Sequence, residues 1–277
     1  MEKTIQIKGK NTSISLVGNP KNSPIIFLHD FFSTKEIWNS TISYLQSKFY
    51  CIAIDIPGFG SSEIPKSDDF NLLTQSQKII FIAEFLGLNN YHIAGIGMGA
   101  NIGINIAGLI NPPRVEKLVL INSLPTGKFS PKFEKSIRYF DLISKSALLY
   151  KISQKYINYG IKHNTSIMKW IVYDKNNIQR NENIIRSIQI NPDNSTPVRQ
   201  AINAVHSADL TNTLRNIKAD TLIIGGMQDQ IVSIDQSYLC QTLIPKNNLA
   251  IIEKCGHFPM LEKNKNFLKA LNLLLET

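Results

Sequence analysis

Cysteine is scarce in this sequence: Cys51, Cys240 and Cys255 are odd in number and show no paired ligand spacing. That argues against a disulfide-stapled scaffold or a thiolate metal cluster and suits free thiols in a reducing compartment. Long apolar runs are also missing. Nothing approaches the roughly 20 residues of a membrane span, and Met1 to Lys10 alternates like a strand with no signal-type apolar core, so a cytoplasmic protein is expected. The five histidines, His29, His92, His163, His206 and His257, never fall at ligand spacing, and neither a metal nor a cofactor is expected. The formal charge of +9 comes from scattered lysines with no basic stripe among exposed aromatics, so it reads as solubility rather than nucleic-acid binding. Internal repeats, heptads and low-complexity tracts are absent, which removes solenoids and coiled coils.

What is present is a chain of 277 residues, 43% hydrophobic, long enough for one cooperative core carrying an insertion. Strand-like runs occur at Thr4–Lys8, Ser13–Val17, Pro24–Leu28, Tyr50–Ile56, Tyr91–Gly95, Leu118–Ile121, Thr221–Ile224 and Leu249–Ile252. Most are short and apolar on both faces, as a covered parallel sheet requires. Helical patterns alternate with them at Lys35–Ser47, Leu72–Leu86, Met98–Leu109, Asp235–Leu243 and Lys265–Leu274. This rhythm predicts a doubly wound α/β sheet, with the first two strands pairing as a hairpin across Gly9 to Asn11. From Leu124 to Asp209 the rhythm breaks into successive helices, Pro131–Ser144, Ala147–Asn158, Ser166–Tyr173, Asn181–Gln189 and Pro197–His206, which read as a lid. The expected division is a core of residues 1–123 and 210–277 with a helical lid insertion at 124–209.

Ligands of an open parallel sheet bind beyond the carboxyl ends of its strands, so the residues just after each strand matter most. After Tyr91–Ala94 comes Gly95-Ile96-Gly97-Met98-Gly99-Ala100, leading at once into an apolar helix. Such a turn normally presents a nucleophilic Ser, Cys or Asp at its centre, but here the centre is Gly97. A dinucleotide fingerprint is the alternative, but the spacing is not G-x-G-x-x-G and no acid ends a following strand at the needed distance. After Thr221–Ile224 the turn Gly225 to Val232 places Asp229 at the sheet edge, where an aspartate also serves commonly as a cap. After Leu249–Ile252 a loop carries His257 followed by Phe258. Alone it is a surface histidine; beside Asp229 it becomes a base. After Ile25–Leu28 comes His29-Asp30-Phe31, where a second backbone N–H for an oxyanion would lie. A carboxylate at Asp30 opposes that stabilisation unless it turns away.

These points resemble the α/β-hydrolase family, in particular its lid-bearing ester, lactone and carbon–carbon bond hydrolases. The carriers are Leu28-His29, Asp55-Ile56-Pro57-Gly58-Phe59-Gly60-Ser61-Ser62, the elbow-like Gly95 to Gly99, Asp229, and Gly256-His257-Phe258-Pro259, in family order over nearly the whole chain. The resemblance implies the α/β-hydrolase fold: a mostly parallel eight-stranded sheet with helices on both faces and an inserted helical lid. It also implies His257 and Asp229 as catalytic residues, Gly97 at the nucleophile position, Phe31 and Met98 as backbone donors of the oxyanion hole, and His29, Asp30 and Phe258 around the pocket. The departures are Gly97 for the nucleophile and Asp30 for the usual glycine of the His-Gly turn, and both bear on acyl transfer.

Loss of a serine nucleophile costs roughly a million-fold in turnover in a serine protease, so an ordinary hydrolase with Gly97 would be nearly dead. Three readings follow. The His257–Asp229 dyad acts as a general base in non-covalent chemistry, as in a lyase, isomerase, cyclase or slow hydrolase. The chain is a serine ester, thioester or lactone hydrolase with its nucleophile replaced by Gly. Or it is a non-catalytic ligand- or partner-binding protein on a hydrolase scaffold. Phe31 and Met98 beside the site favour a small apolar or aromatic substrate. The aromatics Phe129, Phe133, Tyr139, Phe140, Tyr150, Tyr156, Tyr159, Trp170 and Tyr173 would shape the lid's choice among such molecules.

Overall fold

A computed structural model of the chain describes residues 1–7, 9–31, 33–65, 70–144, 146, 148, 149, 152, 153, 155, 171–174 and 196–275. The strands are β1 (Glu2–Ile7), β2 (Lys10–Val17), β3 (Pro24–Leu28), β4 (Tyr50–Ile54), β5 (Tyr91–Ile96), β6 (Val115–Ile121), β7 (Asp220–Gly226) and β8 (Asn247–Ile252). They form one sheet in the order β1-β2-β4-β3-β5-β6-β7-β8. β2 pairs antiparallel with both β1 and β4, and every other pairing is parallel. The expected hairpin is present, with Ile7 opposite Lys10.

Alternation along each strand divides the core. Ile26 and Leu28 of β3 join Ile52 and Ile54 of β4 and Ile93 of β5 in a cluster on one face, while Ile25 and Phe27 join Cys51, Ala53, Ala94 and Ile96 on the other. Both faces are apolar because both are covered. The first face is packed by α2 (Leu72–Phe85) and α3 (Met98–Asn105), through Ile79, Ile82, Ile102 and Ile104. The second is packed by α1 (Asn39–Leu45) and by a helix at Asn264–Leu275, through Ile42, Leu45, Phe267 and Leu271. Between β6 and β7 the described elements are helices only: α4 (Pro131–Ser144), α5 (Thr196–His206) and the short α6 (Thr211–Leu214). The expected helix Asn181–Gln189, and most of Ala147–Asn158 and Ser166–Tyr173, lie outside the described residues.

Two expected boundaries move for identifiable reasons. Strand β4 stops at Ile54 rather than Ile56: Asp55 N–H still donates to Ser13 O of β2, but Ile56 N–H donates to the His29 imidazole instead of to a neighbouring strand. The helix expected over Lys35–Ser47 begins as a 3₁₀ turn, Lys35–Trp38, before α1. Buried Asp55 holds that turn, accepting from Lys35 N at 2.9 Å and from Lys35 Nζ at 2.8 Å.

The chain passes from β3 to β4 on one side and returns to β5 on the other, so β3 and β5 flank the point where strand order reverses. A crevice opens beyond the carboxyl ends of strands at such a switch point. The segments that follow β3 and β5 are His29-Asp30-Phe31 and Gly97-Met98.

Candidate active site

Gly97 sits at φ +54°, ψ −116°, between β5 and α3, with its N–H donating to Ile121 O and its carbonyl accepting from Asn101 N. A side chain at positive φ is strained, so the sharp strand-to-helix elbow survives here without the residue it normally presents. The space is filled from another direction. A Cβ built on Gly97 would stand 2.6 Å from Asp30 Oδ2 and closer still to Asp30 Cγ and Oδ1. The carboxylate that follows β3 thus occupies the volume into which an elbow side chain would project.

Asp30 is fully buried and fixed at every polar atom. Its N–H donates to Ser33 Oγ at 3.1 Å, and its carbonyl accepts from Ser33 N at 3.0 Å and lies 2.7 Å from His29 Nδ1. Oδ1 accepts from Met98 N at 2.7 Å, the first N–H of α3, where the helix dipole favours an anion. Oδ2 lies 3.0 Å from His257 Nε2. The other ring nitrogen, Nδ1, lies 2.7 Å from Asp229 Oδ2, and Asp229 Oδ1 accepts from Ile231 N and Val232 N at 2.8 and 3.2 Å. The result is a buried line of carboxylate, imidazole and carboxylate.

Electrostatics follows from the partners. A carboxylate only accepts, so an imidazole bonded to two of them must carry a proton on each nitrogen. Burial works to lower the pKa of His257, but Asp229 and Asp30 outweigh it and hold it up at about 10. The residue expected to act as a base is therefore an imidazolium at neutral pH, an acid until it has given a proton away. The expected oxyanion donor Met98 N–H is already engaged by Asp30. The Asp30 carboxylate, whose direction the sequence leaves open, turns into the hole, because the missing Cβ of Gly97 leaves it room and His257 supplies a counter-charge.

His29 does different work. Ile56 N–H donates to its Nε2 at 2.9 Å, which forces Nδ1 to carry the proton and donate to Asp30 O. Burial lowers its pKa. It ties the ends of β3 and β4 together and has no ring nitrogen left for a ligand. Phe258 is buried with its ring edge-on to His257 at 5.1 Å between centroids. Phe31 meets Phe129 at 5.9 Å, and Phe129 meets Phe133 at 5.4 Å, an aromatic bank beside Asp30. Tyr173 is exposed, and the side chains of Tyr139, Phe140, Tyr150, Tyr156, Tyr159 and Trp170 lie outside the described residues.

Three supporting residues escaped the sequence reading. Asn122, at φ +43°, donates from Nδ2 to His257 O at 2.8 Å and accepts at Oδ1 from Gly226 N at 2.9 Å, bracing the acid and histidine loops together. Its signal was an asparagine directly after a buried strand, a residue type that tolerates positive φ. Glu262 accepts from Gly256 N, Phe258 N and Tyr173 N, which folds the histidine loop over a buried carboxylate whose pKa burial raises. Ser33 caps the Asp30 turn, an ordinary role for serine with no signal to single it out.

The sequence model of the alpha/beta hydrolase fold matches residues 23–264. A monoacylglycerol lipase of Xenopus laevis is 25% identical over 94% of this chain and 77% of its own length. A pimeloyl-[acyl-carrier protein] methyl ester esterase of Nitrosomonas europaea is 22% identical over 91% of this chain and 96% of its own length. The solved structure of an esterase from Exiguobacterium antarcticum superposes with a TM-score of 0.81 at 20% identity, covering the whole of both chains. With the family model spanning most of the sequence and lipases and esterases among its relatives, the chain belongs to the α/β-hydrolase family.

Proposed function

We propose that this protein is a hydrolase of a small apolar or aromatic molecule, worked by the charged series Asp30, His257 and Asp229 in place of a serine, histidine and acid. One observation carries the reading: Asp30 Oδ2 stands within hydrogen-bonding distance of His257 Nε2, in the volume next to Gly97 that a serine side chain would need. The imidazolium gives the first proton to the departing group, and the neutral imidazole then takes one from water. This reverses the order in which a serine enzyme uses its histidine. The general-base role expected of His257 and Asp229 belongs to the second half of the cycle. The aromatic bank of Phe31, Phe129 and Phe133 supports an apolar substrate. Residues 1–123 and 210–277 form the core of this reading and 124–209 its lid, supported by the helices α4 and α5 between β6 and β7. Three buried free thiols suit a reducing, cytoplasmic setting, and among the described residues no helix is long and apolar enough to cross a membrane.

Apolar esters, thioesters, lactones and alkyl electrophiles, assayed on the wild-type protein, Asp30→Asn and His257→Gln, test the reading. Turnover of at least one class that both substitutions abolish, without labelling by a serine-directed fluorophosphonate, is the expected result. Wild-type turnover in both variants would overturn it. Binding of apolar ligands without turnover of any class would leave a non-catalytic scaffold, which the closed ion-pair series could equally well plug.

A further inference from the structure

Four consecutive backbone N–H groups around His257 donate to groups outside the histidine loop. Cys255 N donates to Gln228 Oε1 at 3.1 Å, Gly256 N to Glu262 Oε2 at 3.1 Å, His257 N to Ile171 O at 3.1 Å and Phe258 N to Glu262 Oε1 at 3.2 Å. Buried N–H groups must be paired somewhere, and here the pairing fixes the loop. The N–H of His257 itself is held by the insertion between β6 and β7, and those of its two neighbours by one carboxylate.

The same carboxylate reaches the insertion. Besides accepting from Gly256 N, Glu262 Oε2 accepts from Tyr173 N at 2.7 Å. Ile171 and Val172 are buried in one apolar cluster with Cys255, Phe258 and Met260, which seats the segment. The Tyr173 side chain is 48% exposed, so the clamp uses its backbone rather than its ring. Gly256 lets the parts close on one another. A Cβ built there would stand 2.9 Å from both Glu262 Oε1 and Tyr173 N and 3.0 Å from Ile171 O, so a side chain would drive them apart.

We infer that Glu262 is a positioning residue for His257 and that docking of Ile171–Tyr173 completes the placement, so that the imidazole stays between Asp30 and Asp229 only while this segment is seated. The inference deepens the hydrolase reading above, on which the use of the placement rests; the placement itself is measured without turnover. The imidazole needs such bracing because it must meet two carboxylates at once, 3.0 and 2.7 Å away on the loops after β3 and β7. A shift of about 1 Å breaks one contact, and misplacement of that size costs about a hundredfold in rate. Charge-assisted bonds from N–H to carboxylate suit the task, being stronger than bonds to a neutral acceptor. The insertion cannot leave the histidine loop without releasing the N–H of His257 and one donor of Glu262.

The test begins with amide hydrogen exchange on the wild-type chain. One opening exposes His257 N–H and Tyr173 N–H together, so their protection should agree within about threefold, and a difference beyond about tenfold overturns the clamp. Glu262→Gln and Gly256→Ala follow, each checked for fold by circular dichroism. The first leaves one acceptor oxygen and turns an NH₂ toward N–H groups that need an acceptor. The second keeps the carboxylate and carries the test if Glu262→Gln fails to fold. In both, the imidazole ¹⁵N titration of His257 should fall at least about one pH unit below its value of about 10, as loss of a carboxylate partner requires. On whichever class the wild type hydrolyses, kcat should drop about a hundredfold with KM changed less than about threefold. A folded variant with faster exchange at Tyr173 and an unmoved His257 titration shows that Glu262 supports the fold alone, which overturns the inference and leaves the hydrolase reading standing. A lowered titration with full turnover, or a wild type inactive on every class, upholds the placement and overturns the hydrolase reading instead.

Discussion

Two buried histidines stand at the carboxyl edge of the same sheet, and they carry different charges because their partners differ. His29, after β3, is bonded to one backbone donor and one backbone acceptor, so it is neutral and burial pushes its pKa down. His257, after β8, has carboxylates at both nitrogens, 2.7 and 3.0 Å away, and is held at about 10 against the same desolvation. Burial alone does not decide protonation; the acceptors do. The structural histidine closes a gap between strands, whereas the charged one lies between two elements, the β3 and β7 loops, that each bring an anion to it.

The strongest way to break the comparison is to return the site to serine chemistry. Gly97→Ser alone leaves Asp30 in the space its side chain needs, and no labelling by a fluorophosphonate probe is expected. Gly97→Ser with Asp30→Gly clears that space and frees Met98 N–H. A serine-directed probe and short-chain ester turnover should then appear, at least about a thousandfold above the single variant, given the scale of nucleophile loss in serine enzymes. Asp30→Asn comes next. The amide oxygen still accepts from Met98 N–H and the amide still faces Nε2, so the fold should survive while turnover falls to background, about a thousandfold or more.

Stability effects are smaller. Asn122→Ala orphans Gly226 N–H and His257 O, each buried group costing about 1–3 kcal/mol, and chemical denaturation should show a loss of about 2–6 kcal/mol. His29→Leu leaves Ile56 N–H without its acceptor, with an expected loss of about 1–3 kcal/mol by the same measure. Stability also depends on pH. A histidine whose pKa is raised on folding contributes its full stability below about 6.5, and the contribution fades as pH rises toward 10. Denaturation midpoints of the wild type should therefore decline from neutral to alkaline pH, and Asp30→Asn should flatten that slope. An unchanged slope would contradict the pairing.

Most of the sheet was legible because alternation and β-branched runs specify strands directly: Pro24–Leu28 was read residue for residue, and Asp235–Leu243 likewise among the helices. The dyad of His257 and Asp229 was legible from two strand ends in order. What escaped was direction. The sequence shows Asp30 next to an oxyanion loop and Gly97 in an elbow, but whether a carboxylate faces in or out depends on the distance between β3 and β5 loops and on the void left by a missing Cβ. Neither is local. The charge of His257 escaped for the same reason, since its second partner lies 227 residues away. The 3₁₀ turn at Lys35–Trp38 was hidden likewise, because its anchor is Asp55, on the next strand's loop.

The central claim is that Asp30 stands in the nucleophile's place and charges His257. Imidazole ¹⁵N chemical shifts followed from pH 5 to 11 in the wild type and in Asp30→Asn test it most directly. One buried histidine should keep both nitrogens protonated until about pH 10 in the wild type and titrate markedly lower in the variant, while His29 stays neutral at pH 7 in both. A wild-type His257 that is already neutral at pH 7 would contradict the account.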